Sequence, residues 1–306
     1  MTDVPESTVP IGSSLPENYK SGFVAIAGKP NAGKSTFLNA ILGTKLSIIS
    51  PKVQTTRHRI TGIHSDDNGQ IVFLDTPGIL EPRYKLHEKM MQAVKRSVED
   101  ADLVLFILDP ADLPEPEEMA WYKPYARKPL FLMINKADRF GEGQIEHARE
   151  HMNEIVNPAK THVISALNAQ GLDQLVEEIF ETLPKGPPFY PPDQLSEHPE
   201  RFFVSELIRE QLFALYRAEI PYSCTVNVIE FKEEDSIIKI DAEIVVNRNS
   251  QKGILIGKGG AALKKLGTES RIEIETFLNK KVFLNLFVKV REKWRDSETF
   301  LRSFGY

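Results

Sequence analysis

The chain has 306 residues, 41% hydrophobic and 26% charged, with a formal net charge of −5, and that length predicts two domains rather than one. A single cysteine, Cys224, excludes an internal disulfide and fits a reducing compartment. No apolar run approaches the roughly 20 residues of a membrane-spanning helix, and the N-terminus lacks the basic-then-apolar layout of a secretory signal, so a cytoplasmic protein without a transmembrane segment is expected.

Residues 1–19 are polar and rich in Pro and Ser, the composition of a disordered leader. Short apolar runs follow at Phe23–Ala27, Gln70–Leu74, Leu103–Leu108, Leu130–Ile134 and Thr161–Ile164, alternating with amphipathic stretches at Ser35–Leu42, His87–Val98 and Leu172–Thr182. Strands buried on both faces of a parallel sheet have this pattern, so residues 20–183 predict an α/β, doubly wound, mostly parallel domain. Pro184–Pro192 holds five prolines in nine residues and predicts a stiff connector within residues 184–199. Residues 200–306 predict an α+β domain: a helix over Glu200–Tyr216, strands over Cys224–Lys232 and Ser236–Val246, a helix–turn–helix around Gly257–Gly260 and a strand over Val282–Val290. Phe202, Phe203, Phe213 and Tyr216 fall at helical spacing and are expected in its core.

Four motifs lie at the ends of the first domain's strands. Gly28-Lys29-Pro30-Asn31-Ala32-Gly33-Lys34-Ser35, with Thr36 after it, follows a strand and opens a helix, the context in which backbone N–H groups cradle phosphates. Lys34 is expected to reach the β- and γ-phosphates and the Ser35 hydroxyl to ligate Mg²⁺. Asp75-Thr76-Pro77-Gly78 places a carboxylate near the same ion, and a Gly78 N–H that can sense the γ-phosphate. Asn135-Lys136-Ala137-Asp138 can read guanine, because the Asp138 carboxylate accepts from both N1–H and the exocyclic amine, groups adenine does not offer together. Ser165-Ala166 would supply a backbone N–H to the guanine O6. Gln54–His58 lies where a first switch loop belongs; one of its two threonines, Thr56 in preference to Thr55, should complete the Mg²⁺ shell. Together the motifs predict binding of GTP and GDP and hydrolysis of GTP.

Two positions bear on rate. Ile79 stands where Ras-type GTPases place a water-orienting glutamine, which predicts slow intrinsic turnover. Asn31 either holds a K⁺ ion in the position of an arginine finger, as in related GTPases, or braces the loop through a local hydrogen bond.

The charge is uneven. Residues 1–200 carry 20 Lys and Arg against 28 Asp and Glu, whereas Arg248–Arg295 carries 12 against 4. Inside that basic stretch Gly257-Lys258-Gly259-Gly260 forms a G-x-x-G turn followed by Lys264 and Lys265, the loop with which KH domains clamp about four nucleotides of RNA. Arg291, Lys293 and Trp294 follow in a basic C-terminal tail; Trp294 either stacks a base or anchors against its own sheet.

On Gly28–Thr36, Gln54–His58, Asp75–Gly78, Asn135–Asp138, Ser165–Ala166, Ala218–Tyr222 and Gly257–Gly260, the chain resembles the bacterial Era family of GTPases from Ser21 to Tyr306. The resemblance implies a type II KH domain that binds 16S ribosomal RNA near its 3′ end and assists assembly and maturation of the 30S subunit. It also implies that GTP favours RNA binding and hydrolysis resets the protein. Some members associate peripherally with the inner membrane, and this sequence shows no lipid motif or amphipathic anchor for it. A monomer is expected. Competing readings are a GTP-dependent switch acting on a protein or membrane partner, and a metabolic kinase or ATPase, against which Asp138 argues.

Overall fold

A computed structural model describes residues 16 and 18–306; the leader expected over residues 1–19 lies outside the described residues except at positions 16, 18 and 19. The first half runs β1 (Lys20–Ala27), α1 (Lys34–Leu42), β2 (Ile60–Ser65), β3 (Gly69–Asp75), α2 (Lys85–Asp100), β4 (Leu103–Leu108), β5 (Leu130–Ile134), α3 (Glu142–Ile155), β6 (Lys160–Val163) and α4 (Leu172–Thr182). The sheet order is β2-β3-β1-β4-β5-β6, antiparallel between β2 and β3 and parallel elsewhere. The apolar runs fill both sheet faces, with Val24, Ile26 and Phe37 on one side and Ala25, Phe106 and Leu132 on the other. Strand β2 and helix α3 extend the predicted set. β2 is an edge strand interrupted by Gly62, where a Cβ would come within 2.7 Å of Leu38 and Leu42 on α1.

The proline-rich connector lies against the sheet edge. Gln70 Oε1 accepts from the N–H groups of Phe189 and Tyr190 at 2.7 and 3.0 Å, and its amide donates back to the Tyr190 carbonyl. Farther along, the Thr61 hydroxyl donates to Glu197 at 2.7 Å. Proline rigidity and these side-chain clamps fix where the second half begins.

That half runs α5 (Glu200–Leu215), α6 (Ile220–Ser223), β7 (Cys224–Glu233), β8 (Ile238–Val246), α7 (Asn249–Ile256), α8 (Ala261–Leu278), β9 (Val282–Val290) and α9 (Glu298–Ser303). Its three strands are ordered β7-β8-β9, with β7 antiparallel and β9 parallel to β8. Val204, Ile208 and Leu212 of α5 and Leu266 and Ile274 of α8 cover one face.

The two halves meet along the loop before β2 and along α2. Leu86 and Met90 on α2 form a small buried cluster with Val245, Trp294 and Leu301. His58 stacks on Tyr306 with centroids 4.2 Å apart and meets Phe202 edge-on. Burial pulls the His58 imidazole down to about 4. Below its ordinary 6.5 the unfolded chain takes up a proton that the folded chain refuses, so stability falls as pH drops from 6.5 to about 4 and the loss levels off below that. The shift is worth at most about 3 kcal/mol. Urea midpoints at pH 7 and 4.5 should therefore differ less in His58→Phe than in the unaltered chain; equal differences would exclude His58 as the source.

Candidate functional site

The cradle owes its shape to three residues with left-handed or related φ values. Gly28 has φ 151°, and a Cβ there would come within 2.3 Å of the Ile107 carbonyl oxygen. Gly33 has φ 106°, and a Cβ there would meet the Asn135 amide at 2.2 Å. Asn31, with φ 62°, tolerates the conformation better than most side chains do. Lys34 lies buried along the loop and donates to the carbonyls of Gly28 (3.0 Å) and Lys29 (2.9 Å). Burial pulls its ammonium down to about 8, with Asp75 opposing. The Lys29 side chain turns outward to Asp112 and Glu118, leaving its main chain to the cradle.

Ser35, Thr56 and Asp75 converge. Ser35 Oγ lies 2.9 Å from Thr56 Oγ1 and donates to Asp75 Oδ2 at 2.9 Å; Ser47 also donates to Oδ2. Asp75 Oδ1 is buried without a partner, and burial raises this carboxyl above its usual range. Two hydroxyls and an orphaned carboxylate oxygen fit a hard cation that takes its other ligands from water and phosphate, as Mg²⁺ does. Among the described residues no cluster of three His, Cys, Asp or Glu offers a transition-metal site. Thr55 turns the other way, its hydroxyl donating to the Lys52 carbonyl.

Thr76 pins its hydroxyl to the Ile26 carbonyl at 2.7 Å, and Pro77 and Gly78 follow beside the cradle. A Cβ on Gly78 would sit 2.7 Å from Pro30 Cα, so the close approach of these two loops requires glycine. Ile79 bonds its N–H to the Gly28 carbonyl and packs its side chain into the apolar layer beneath α2, away from the cleft.

Asn135 joins the motifs: its Nδ2 donates to the Ala32 carbonyl (2.8 Å) and its Oδ1 accepts from the Ala166 N–H (2.9 Å). Asp138 is exposed, with one oxygen held by the Ser165 hydroxyl and the other free for a base. Lys136, at φ 63°, pairs with Asp109. The cleft bounded by Pro30–Thr36, the loop Ile48–Thr56, Gly78 and Lys136 encloses about 680 Å³. Asp109, Arg139 and Leu167 also line it and were not anticipated. Asp109 closes the β4 apolar run at the same sheet edge as Asp75 and Asn135, which is a legible signal. Leu167, 76% exposed, gives the cleft an apolar flank opposite Lys136.

Asn31 departs from the local-bond reading. Its Nδ2 donates 2.8 Å to the Pro51 carbonyl, 20 residues away, and so ties the cradle to the first switch loop.

In the second half, Gly257 (φ 70°), Gly259 (φ 58°) and Gly260 (φ 80°) form the turn between α7 and α8, with Lys258, Lys264 and Lys265 exposed on it. A Cβ on Gly257 would meet the Ala262 Cβ at 2.7 Å. A groove of about 420 Å³ runs from Gly260 and Lys264 past Arg271 to Asn285 on β9. Arg271 and Asn285 are added to the candidate RNA residues by this groove. Trp294 is corrected: it is fully buried, its indole N–H donates to the Ser223 carbonyl at 3.0 Å, and it packs on Phe304, so no base can stack on it. Arg291 and Lys293 are exposed, and beyond them the chain forms α9, where Glu298 pairs with Lys89 of α2 at 2.6 Å.

The first switch loop and the residues just before it are tied to the second half by six side chains. Ile49 N–H donates to Glu210, Lys52 to the carbonyls of Phe213 and Tyr216, and Arg209 to the Thr55 carbonyl. Arg57, 1% exposed, donates to Cys224 O (2.7 Å) and Pro221 O (2.8 Å), and Lys45 pairs with Glu210 and Glu273. No sequence pattern announced these contacts.

A family model described as a 50S ribosome-binding GTPase matches residues 23–136, and a KH domain model matches residues 219–295. GTPase Era of Carboxydothermus hydrogenoformans is 44% identical over 293 residues, which cover 94% of this chain and 98% of that protein. The chloroplastic GTPase ERA1 of Zea mays is also 44% identical, over 97% of this chain and 73% of its own length. The crystal structure of a point variant of Aquifex aeolicus Era bound to GDP·AlF4⁻ superposes with a TM-score of 0.89 at 40% identity, covering 94% of this chain and 99% of that one. A structure of Era with MgGDPNP and nucleotides 1506–1542 of 16S ribosomal RNA superposes with a TM-score of 0.88 at 40% identity over the same shares. With both family models in order on one polypeptide and this identity along nearly its whole length, the chain belongs to the Era family of GTPases.

Proposed function

We propose that this protein binds GTP with Mg²⁺, hydrolyses the GTP, and uses the cycle to gate binding of the 3′ region of 16S ribosomal RNA during assembly of the 30S subunit. The observation that carries this reading is the first switch loop, which lines the nucleotide cleft and is bonded directly to the KH half. The RNA-bound Era structure, with the same two-domain fold, supports the choice of RNA. The model described as 50S-binding ends at residue 136, before the KH match begins, so it does not bear on which RNA the second half takes.

The roles follow from the geometry. The cradle N–H groups and Lys34 hold phosphates and stabilise charge that builds on them. Mg²⁺, held by Ser35, Thr56 and Asp75, would supply further charge neutralisation there. Asp138 selects guanine, and Asn135 keeps the base loop and the cradle in register. Ile79, half-buried against the apolar layer, has no polar group with which to orient the attacking water. We place the protein in the cytoplasm as a monomer, with any inner-membrane contact peripheral; among the described residues no helix is long and apolar enough to cross a membrane.

The isolated protein should therefore turn GTP over slowly and accelerate when RNA or the subunit binds; fast turnover alone would contradict the role given to Ile79. K⁺ should stimulate that basal rate relative to Na⁺ if Asn31, with its Oδ1 unused by the chain, takes the ion beside the Pro51 carbonyl; equal rates would leave Asn31 as a loop tie only.

Crosslinking to total cellular RNA with a non-hydrolysable GTP analogue, and separately with GDP, tests the whole reading. Enrichment at the 3′ end of small-subunit RNA with the analogue alone is expected. Scattered or nucleotide-independent crosslinks would favour the competing reading, a switch acting on a protein or membrane partner.

A further inference from the structure

Away from both sites described above, a cavity of about 410 Å³ opens between the start of β2, one face of α2 and the last residues of the chain. Arg57, His58 and Arg59 form one wall. Lys89, Ala93 and Arg96 fall at three- and four-residue spacing on α2 and form the second, with small Ala93 leaving the space between the two cations. Tyr306 and His198 close the ends.

The charge of this cavity is out of character with its domain, which is net acidic. Asp100 is the carboxylate side chain among its lining residues, and it is already paired with Arg59 at 2.7 Å; Lys89 is likewise paired with Glu298 at 2.6 Å, which leaves Arg57 and Arg96 without a carboxylate. Arg57 is buried, yet its hydrogen bonds go to two neutral carbonyls and its Nε has no partner. The nearby carboxylate of Glu206 is taken by Arg209. Arg96 is exposed and has no salt-bridge partner among the described residues. A buried guanidinium with a partnerless nitrogen, in the wall of a cavity that also carries Arg96, favours an anion in that cavity.

Flat rings lie beside these cations. His58 stacks on Tyr306 at 4.2 Å and 16°, and His198 stacks on Phe202 at 4.2 Å and 19°. Cations with half-buried, stacked rings beside them suit a nucleic-acid strand, whose phosphates and bases alternate, better than a compact inorganic anion.

We propose that this cavity is a second RNA site, at the seam between α2 and the last residues of the chain, taking a backbone phosphate against Arg96 with the buried Arg57 adding positive charge behind it, and a neighbouring base against the aromatic rings. The proposal rests on the RNA-binding reading given above. Its position has a consequence: Arg57 directly follows Thr56, so a strand held here is one residue from a side chain that faces the nucleotide. RNA bound there can report on, and be sensed by, the switch without passing through the KH loop.

The test uses the full chain with a GTP analogue and a fluorescent RNA corresponding to nucleotides 1506–1542 of 16S ribosomal RNA, titrated at several KCl concentrations. Gln92→Glu/Arg96→Glu alters two exposed positions on α2. It should weaken RNA binding about tenfold and reduce the slope of log affinity against log salt by about 1. Binding of a fluorescent guanine nucleotide should not change. Lys123→Glu/Arg127→Gln carries the same charge change on an exposed segment elsewhere and should leave RNA affinity near that of the unaltered chain. Unchanged affinity and slope in the α2 variant, or an equal loss in the Lys123/Arg127 control, would overturn the second site. Lys258→Glu separates the two readings. If it abolishes binding while the α2 variant does nothing, the KH site stands and the cavity falls; if the unaltered chain binds no RNA, both fall.

Discussion

Asp138→Asn should lower GTP affinity about a hundred- to a thousandfold and transfer preference to xanthosine triphosphate. A carboxylate accepts from guanine N1–H and from the 2-amino group; an asparagine amide keeps one acceptor and turns a donor toward that amine. Two charge-assisted hydrogen bonds, each worth about 1.5–3 kcal/mol, are lost or weakened. Xanthine carries a carbonyl where guanine carries the amine, so the new donor finds an acceptor. Because Asp138 is exposed and its contact inside the chain is with the Ser165 hydroxyl, the thermal midpoint should hardly move. Calorimetric titration with both triphosphates checks this, and an unchanged preference for GTP would remove Asp138 from the base site.

Arg209→Ala should destabilise the protein by about 3–5 kcal/mol. Arg209 and Glu206 lie three residues apart on α5, 1% and 4% exposed, and Arg209 also donates to the Thr55 carbonyl. Removing the guanidinium strands a buried carboxylate and a switch-loop carbonyl at once. Removing both charges together, as Glu206→Leu/Arg209→Met, should recover most of the loss, because neither half of the pair is then left desolvated alone. The double variant still lacks the bond to Thr55, so its RNA affinity should respond less to the identity of the bound nucleotide. Urea unfolding measures the first effect, and RNA titration with GDP and with a GTP analogue measures the second. A stable, nucleotide-responsive double variant would show that the Thr55 contact carries no coupling.

The nucleotide cleft was legible because its chemistry is local. Each motif closes a strand within a few residues of the apolar run that announces it, and its side chains act on a ligand of fixed shape. Two elements of the same domain were obscure for physical reasons. The α3 sequence buries only Ala148 and Met152 fully, too thin a stripe to stand out among its charges. Strand β2 is short, lies at the edge and contains glycine. The fate of Trp294 was open because a tryptophan in a basic tail suits a base as well as a core. The outcome depended on α2, more than 190 positions earlier in the chain, and on the Ser223 carbonyl beneath it. The links between the halves were invisible because Arg57 and Lys52 bond partners about 160 residues away that have no side-chain signature.

That absence of a signature matters for divergence. Arg57 and Lys52 are met by main-chain oxygens, at Pro221, Cys224, Phe213 and Tyr216, and Arg209 reaches a main-chain oxygen in return at Thr55. Every residue type supplies a carbonyl, so the accepting positions can drift in identity while the link survives, provided the backbone keeps its path. The donors have no such freedom. Lineages can therefore remodel the surface of the second domain, and with it the RNA it reads, without rebuilding its connection to the nucleotide.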